Sequence, residues 1–247
     1  MTAPVRLFIA TPTAEGIAMT GFVESLAAML LRLAGGGLPT VFRALDGESH
    51  ALQLNLLAHA FLASDATHLL ILDYDLVFPP DLAERLLAAD KPVIGVPYAK
   101  RRLDLAALTR RLADAPFDDA LALALDWNLQ PLETGLSVAR GLAEVAAVPS
   151  GFLLVARPAF ELMRGRPDVL RLPGPPAAAP LTFFRETVRD GALVHVDYAF
   201  CQRYRESGGE VWAFLDADVR HIGEDRTAPS YAALLAAVGP DPAAALA

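Results

Sequence analysis

The sequence predicts an α/β fold with a mixed, mostly parallel sheet flanked by helices. Three observations predict it. Short apolar runs alternate with stretches of helical spacing from Val5 to Val96. The runs are apolar at consecutive positions, as in strands covered on both faces. They are separated by Gly, Pro and Asp breaks rather than by two-residue hairpin turns, so parallel strands joined by helices are expected.

Val5 to Ala10 reads as the first strand, breaking at Thr11-Pro12-Thr13. Gly21 to Leu33 is spaced as a helix and stops at Gly35-Gly36-Gly37. Thr40 to Arg43 is a second strand, followed by the polar loop Asp46 to Ser49. Ala51 to Leu62 is helical, and Thr67 to Leu72 is a third strand. Pro79-Pro80-Asp81 opens a helix running to about Ala88, since proline is tolerated in a first turn. Lys91 to Val96 is a fourth strand. Asp104 to Ala113 has helical spacing, while Asp118 to Gln130 fits neither class cleanly.

Glu144 to Val148 and Gly151 to Ala156 read as strands around the turn Pro149-Ser150-Gly151, and Pro158 to Met163 as a short helix. The Pro-, Gly- and Arg-rich stretch from Arg164 reads as a surface loop, with residues 164–190 expected to be flexible. Asp197 to Ser207 is helical, Glu210 to Phe214 is a strand, and Ser230 to Val238 is a last helix before a frayed tail. With no repeat and no clean linker, residues 1–247 are expected to form one domain. Residues 1–100 read as a nucleotide-binding-type α/β half, and 101–240 as a second, less regular half.

The composition excludes some functions. No apolar stretch reaches the roughly 18 residues of a spanning helix. The N-terminus lacks a basic region followed by a long apolar segment, so a cytoplasmic location is expected. Cys201 alone can form neither an internal disulfide nor a cysteine-based zinc site. A net charge of −8 disfavours a large footprint on duplex nucleic acid. It leaves room for a local basic groove at Lys100-Arg101-Arg102 or between Arg164 and Arg171.

Asp73-Tyr74-Asp75 is the most informative motif. It follows the buried run Leu69 to Leu72, so two carboxylates leave a strand end where they can converge. Hard divalent cations take such oxygen ligands and keep positions open for substrate phosphate. The plain alternative is an Asp pair capping the next turn.

Four pieces in this order resemble the GT-A (Rossmann-like) class of nucleotide-sugar glycosyltransferases. They are Asp73-Tyr74-Asp75, Ser150-Gly151-Phe152, Asp197-Tyr198-Ala199-Phe200-Cys201 and His221-Ile222-Gly223. The pattern is similar to that of small GT-A proteins of bacteria, large viruses and phages. The resemblance implies a metal site of Asp73, Asp75 and His221, with Mn²⁺ or Mg²⁺ on the diphosphate of a nucleoside diphosphate sugar. Asp75 would be the direct ligand, and Asp73 would also face the ribose or a metal-bound water. Asp197 would be the base that takes the acceptor proton in an inverting transfer. Donor contacts are implied at Thr11, Pro12, Thr13, Asp46, Ser49, Asn55 and Lys100, with Ser150 and Gly151 on the acceptor side. The sequence departs from the pattern twice: Val196 stands where the family has Glu, and Leu54 where it has Arg.

The acceptor would be carbohydrate-type or a modified base, with DNA disfavoured by charge. Two alternatives remain at this level. One is a nucleotidyltransferase, although Thr11 to Gly16 lacks the glycine-rich basic signature of those enzymes. The other is a catalytically silent nucleotide- or sugar-binding module.

Overall fold

A computed structural model describes residues 4–175 and 179–222, together with 231, 233 and 236. The first half alternates as expected. Strand β1 (Leu7–Thr13) is followed by α1 (Thr20–Gly35), β2 (Thr40–Asp46), α2 (His50–Ala63), β3 (His68–Leu72), β4 (Leu76–Val77), α3 (Leu82–Ala88) and β5 (Val93–Gly95). Then come β6 (Ala99–Leu103), α4 (Leu105–Arg111), α5 (Phe117–Ala124), β7 (Leu125–Trp127), β8 (Leu142–Val145), β9 (Phe152–Ala156) and α6 (Arg157–Met163). The order closes with β10 (Thr187–Arg189), β11 (Ala192–Val194), α7 (Val196–Glu206), β12 (Val211–Phe214) and β13 (Arg220–His221).

Seven strands form the central sheet in the order β2-β1-β3-β9-β5-β12-β8. Strands β1, β2, β3, β5 and β12 run one way, and β9 and β8 run against them. The expected α/β class with a mostly parallel sheet flanked by helices is therefore what the chain adopts. Alternation along the strands explains the layers. Leu7, Ile9, Leu70 and Leu72 join a buried cluster with Phe22 and Met29 of α1 and Leu82 and Leu86 of α3. Phe8, Ala10, Leu69 and Ile71 point the other way, into a cluster with Leu57 and Phe61 of α2, Phe160 of α6 and Phe200 of α7. Continuous apolar runs are what a sheet covered on both faces requires.

Several boundaries move. β1 runs through Thr11-Pro12-Thr13 instead of breaking there, because β2 continues beside it to the pair Thr13 and Asp46. The unassigned stretch 118–130 divides between α5 and β7. Residues 144–148 were expected as a strand, but β8 starts at Leu142 and ends at Val145. The strand pair β10-β11 has no counterpart in the sequence reading. Of the helix expected over 230–238, residues 231, 233 and 236 are helical; the others, like Gly223 of the histidine motif, lie outside the described residues.

The segment expected to be a flexible loop is tied down in its described parts. Val169, Thr182, Phe183 and Phe184 are buried. Asp168 accepts from Arg166 at 2.7 Å and from the buried Arg203 of α7 at 3.0 Å, and Arg166 also reaches Glu206 at 2.7 Å. Charges that looked free for nucleic acid are thus spent on internal pairs.

Candidate active site at the end of strand β3

Strand β9 builds the site by entering the sheet antiparallel between β3 and β5. Its register sets Phe152 opposite Leu72, which brings Ser150 and Gly151 beside the residue that follows β3. The Asp73 amide donates to the Gly151 carbonyl at 2.8 Å. Tyr98, just past β5, points its hydroxyl at Asp73 Oδ2, 3.3 Å away. Gly151 permits this approach, since a Cβ there would overlap both the Tyr98 hydroxyl and the Asp73 carboxylate. Burial among these groups raises the Asp73 pKa; His50 opposes the rise, Asp75 adds to it, and His221 opposes it.

After Leu72 the chain turns rather than continuing as a strand, so Asp73 and Asp75 take separate places. Asp75 is buried and faces His221, with 3.2 Å between Oδ2 and Nε2. The short ladder of β13 on β4 makes this pairing, setting His221 opposite Leu76. The Ile222 amide then donates to the Asp75 carbonyl at 2.7 Å. His221 Nδ1 is buried without a partner among the described residues, and its ring packs edge-on against Tyr98 at 5.2 Å.

The three expected metal ligands do not close into one group. Among the described residues no three carboxylate, imidazole or thiol side chains converge closely enough to hold an ion. Asp73 is the member that departs, drawn to Tyr98 by the turn. Asp75 and His221 still fit a cation as a pair. Two ligands bound at about 2.1 Å and at right angles stand about 3.0 Å apart, close to their observed separation.

Two cavities meet at this strand end. One, of about 220 Å³, is lined by Pro12, Thr13, Gly47, His50, Asp73 and Asp75 among others. The second, of about 390 Å³, is lined by His50, Asp73, Tyr98, Lys100, Ser150 and Asp197 among others. His50 and Asp73 belong to both.

Other expected contacts have different employment. Thr11 is buried in β1, and its hydroxyl has no partner among the described residues. Asp46 accepts from the Gly16 amide at 2.8 Å and so braces the loop after β1. Ser49 caps α2 through the Leu52 amide. Asn55 is buried and committed to Phe184, donating to its carbonyl at 2.7 Å and accepting from its amide at 2.8 Å. Of these four, none lines either cavity. Lys100 reaches the second cavity but pairs with Asp126 at 3.0 Å. Asp197, in the first turn of α7, accepts from the Tyr198 amide at 2.9 Å and faces His195 at 2.7 Å.

Sequence reasoning missed His50, Tyr98, His195 and Asn128. His50 had a usable signal, since it follows a polar loop and opens a helix. Asn128 is brought beside Tyr98 only by the pairing of β6 with β7, its amide donating to the Tyr98 carbonyl at 3.1 Å.

No protein-family model matches the sequence, and no curated protein does. Solved structures do share its backbone course. The A197 protein from STIV superposes with a TM-score of 0.52 at 15% identity, over 92% of this chain and 91% of that one. The likeness is one of fold. Lower in similarity are a Drosophila β-1,4-galactosyltransferase 7 variant in complex with manganese, UDP-Gal and xylobiose, and an inositol-1-phosphate CTP transferase from T. maritima. The first has a TM-score of 0.43 and 16% identity, covering 92% of this chain and 70% of that chain. The second has a TM-score of 0.41 and 9% identity, covering 90% and 91%. Among the described residues, no helix is long and apolar enough to cross a membrane.

Proposed function

We propose that the protein transfers a sugar from a nucleoside diphosphate sugar to an acceptor hydroxyl, with inversion at the anomeric carbon. The observation that carries this reading is the junction of the two cavities at Asp73 and His50. A donor seated against Pro12 and Thr13 and an acceptor seated against Ser150 and Asp197 would meet there. Asp197 takes the proton of the acceptor hydroxyl as its oxygen bonds to the anomeric carbon and the bond to the diphosphate breaks. Gly151 leaves room for Tyr98 and Asp73 to close on each other, and Tyr98 holds Asp73 at the boundary between the two substrates.

Asp75 and His221 would hold a divalent cation, Mn²⁺ or Mg²⁺. When bound, such an ion stabilises the negative charge collecting on the departing diphosphate. The pairing of Lys100 with Asp126, and of Arg166 and Arg203 with Asp168, supports a neutral polyol acceptor over a nucleic-acid backbone.

The test is transfer from a panel of UDP- and GDP-sugars, with Mn²⁺, to carbohydrate acceptors and to DNA carrying modified bases, read by mass spectrometry. Asp75→Ala should abolish turnover and weaken nucleotide binding. Asp197→Asn should bind donor and fail to transfer. Full activity in either variant removes that residue from its role, and tight donor binding without any turnover identifies a binding module instead.

A further inference from the structure

His195 lines the same cavity as Asp197 and has no part in the steps above. It precedes α7 directly, and its Nδ1 lies 2.7 Å from Asp197 Oδ1. The Tyr198 amide donates to that same oxygen at 2.9 Å. Two donors therefore converge on Oδ1, while Oδ2 accepts no hydrogen bond from any described residue. The imidazole is 64% exposed and the Asp197 side chain 14%, so the ring stands at the rim and the carboxylate further in.

A carboxylate tied at one oxygen by a charge-assisted hydrogen bond cannot rotate without breaking it. General-base catalysis needs the accepting oxygen within about 2.6–3.2 Å of the nucleophile, so the direction of the other oxygen governs the rate. Resting on the glycosyl-transfer reading for the identity of the acceptor, we propose that His195 is a positioning residue. It holds Asp197 Oδ1 and so presents Oδ2 of the same carboxylate to the acceptor hydroxyl.

Charge reinforces the geometry. The hydrogen bond to Asp197 raises the His195 pKa above its ordinary 6.5, against partial burial, and the charges of Asp197, Glu186 and Asp73 push the same way. The remaining charged or titratable groups at this cavity are His50, Tyr98, Tyr198 and the Lys100–Asp126 pair. Below its raised pKa the imidazolium makes an ion pair with Asp197. Above it, the neutral ring keeps the contact only through Nδ1–H. The His195 side chain makes no capping bond to α7, so its replacement leaves the helix start intact.

Two measurements test the clamp. Steady-state transfer by His195→Ala should fall by about 10- to 100-fold in kcat, the cost of a misdirected group, with the donor KM changed by less than about twofold. His195→Asn can set its amide nitrogen where Nδ1 stood, and should recover most of the loss. An unchanged kcat in His195→Ala overturns the proposal, as does a loss that Asn fails to repair. The second measurement needs no substrate: an NMR titration of the ¹⁵N-labelled imidazole in the wild-type protein and in Asp197→Asn. The wild-type midpoint should lie above 6.5 and drop in the variant. A midpoint indifferent to Asp197→Asn overturns the clamp. A midpoint that moves in a wild-type protein that turns over no donor leaves the clamp standing and sinks the glycosyl-transfer reading.

Discussion

Asp73 occupies a position that favours its neutral form, with Tyr98 and Gly151 closing around it and Asp75 two residues away. Burial is the largest cause of its raised pKa, so keeping it ionised at neutral pH opposes folding. The native state holds this proton more tightly than the unfolded chain does. Its contribution to stability is therefore full below the ordinary 3.8 and is lost as pH rises through the raised value. Asp73→Asn should then stabilise the protein at pH 7 by about 0.5–2 kcal/mol, the usual yield of a single stabilising substitution. Urea melts between pH 3 and 8 check it. The gain should shrink towards the acid end, and transfer should be lost throughout. The motif itself was legible in the sequence because a strand-ending apolar run preceded it. The separation of Asp73 from Asp75 was not, since the rule that alternate residues share a face holds only while the chain stays extended.

Helix α2 shows how an element can absorb residues that looked functional. Ser49 caps its start, and Arg157 donates to the carbonyls of Phe61, Leu62, Ser64 and Ala66 at its end. Such contacts satisfy the backbone groups that helix termini leave open. Asn55 ties its middle to Phe184, 129 residues away. Asn55→Ala should cost about 1–3 kcal/mol for each Phe184 backbone group left without a partner. Thermal denaturation measures that loss, while donor affinity in the folded protein should hold close to the wild-type value. Nothing local announces this clasp, because Asn55 lies on a helix and Phe184 in an irregular segment. His50, one residue after the cap, is the position on this helix that reaches both cavities.

Across the whole molecule, Arg166, Asp168, Arg203 and Glu206 form a brace rather than a binding surface. Arg203 is 3% exposed and bonded to Asp168, so removing it leaves a carboxylate short of one charged partner. Arg203→Ala should destabilise the protein by about 1.5–3 kcal/mol and open residues 164–175 to protease, as limited digestion would show. The Arg166 hydrogen bond holds the Asp168 pKa below its ordinary value. That stability is present above the unfolded pKa of 3.8 and is lost as pH falls through the depressed one, so wild-type melts should show an acid loss that Arg166→Ala reduces. By itself the sequence determined the α/β class and the order of the first five main elements, and it singled out the end of β3 as a candidate site. Those depend on periodicity and on local breaks, which each segment carries within itself. Only the tertiary structure decided which side chains each acid meets. The entry of β9 between β3 and β5 set Gly151 and Tyr98 on Asp73, and the ladder of β13 on β4 gave Asp75 to His221 instead. Contacts between residues 25 to 146 positions apart depend on strand register, a property of the assembled sheet that no single segment encodes.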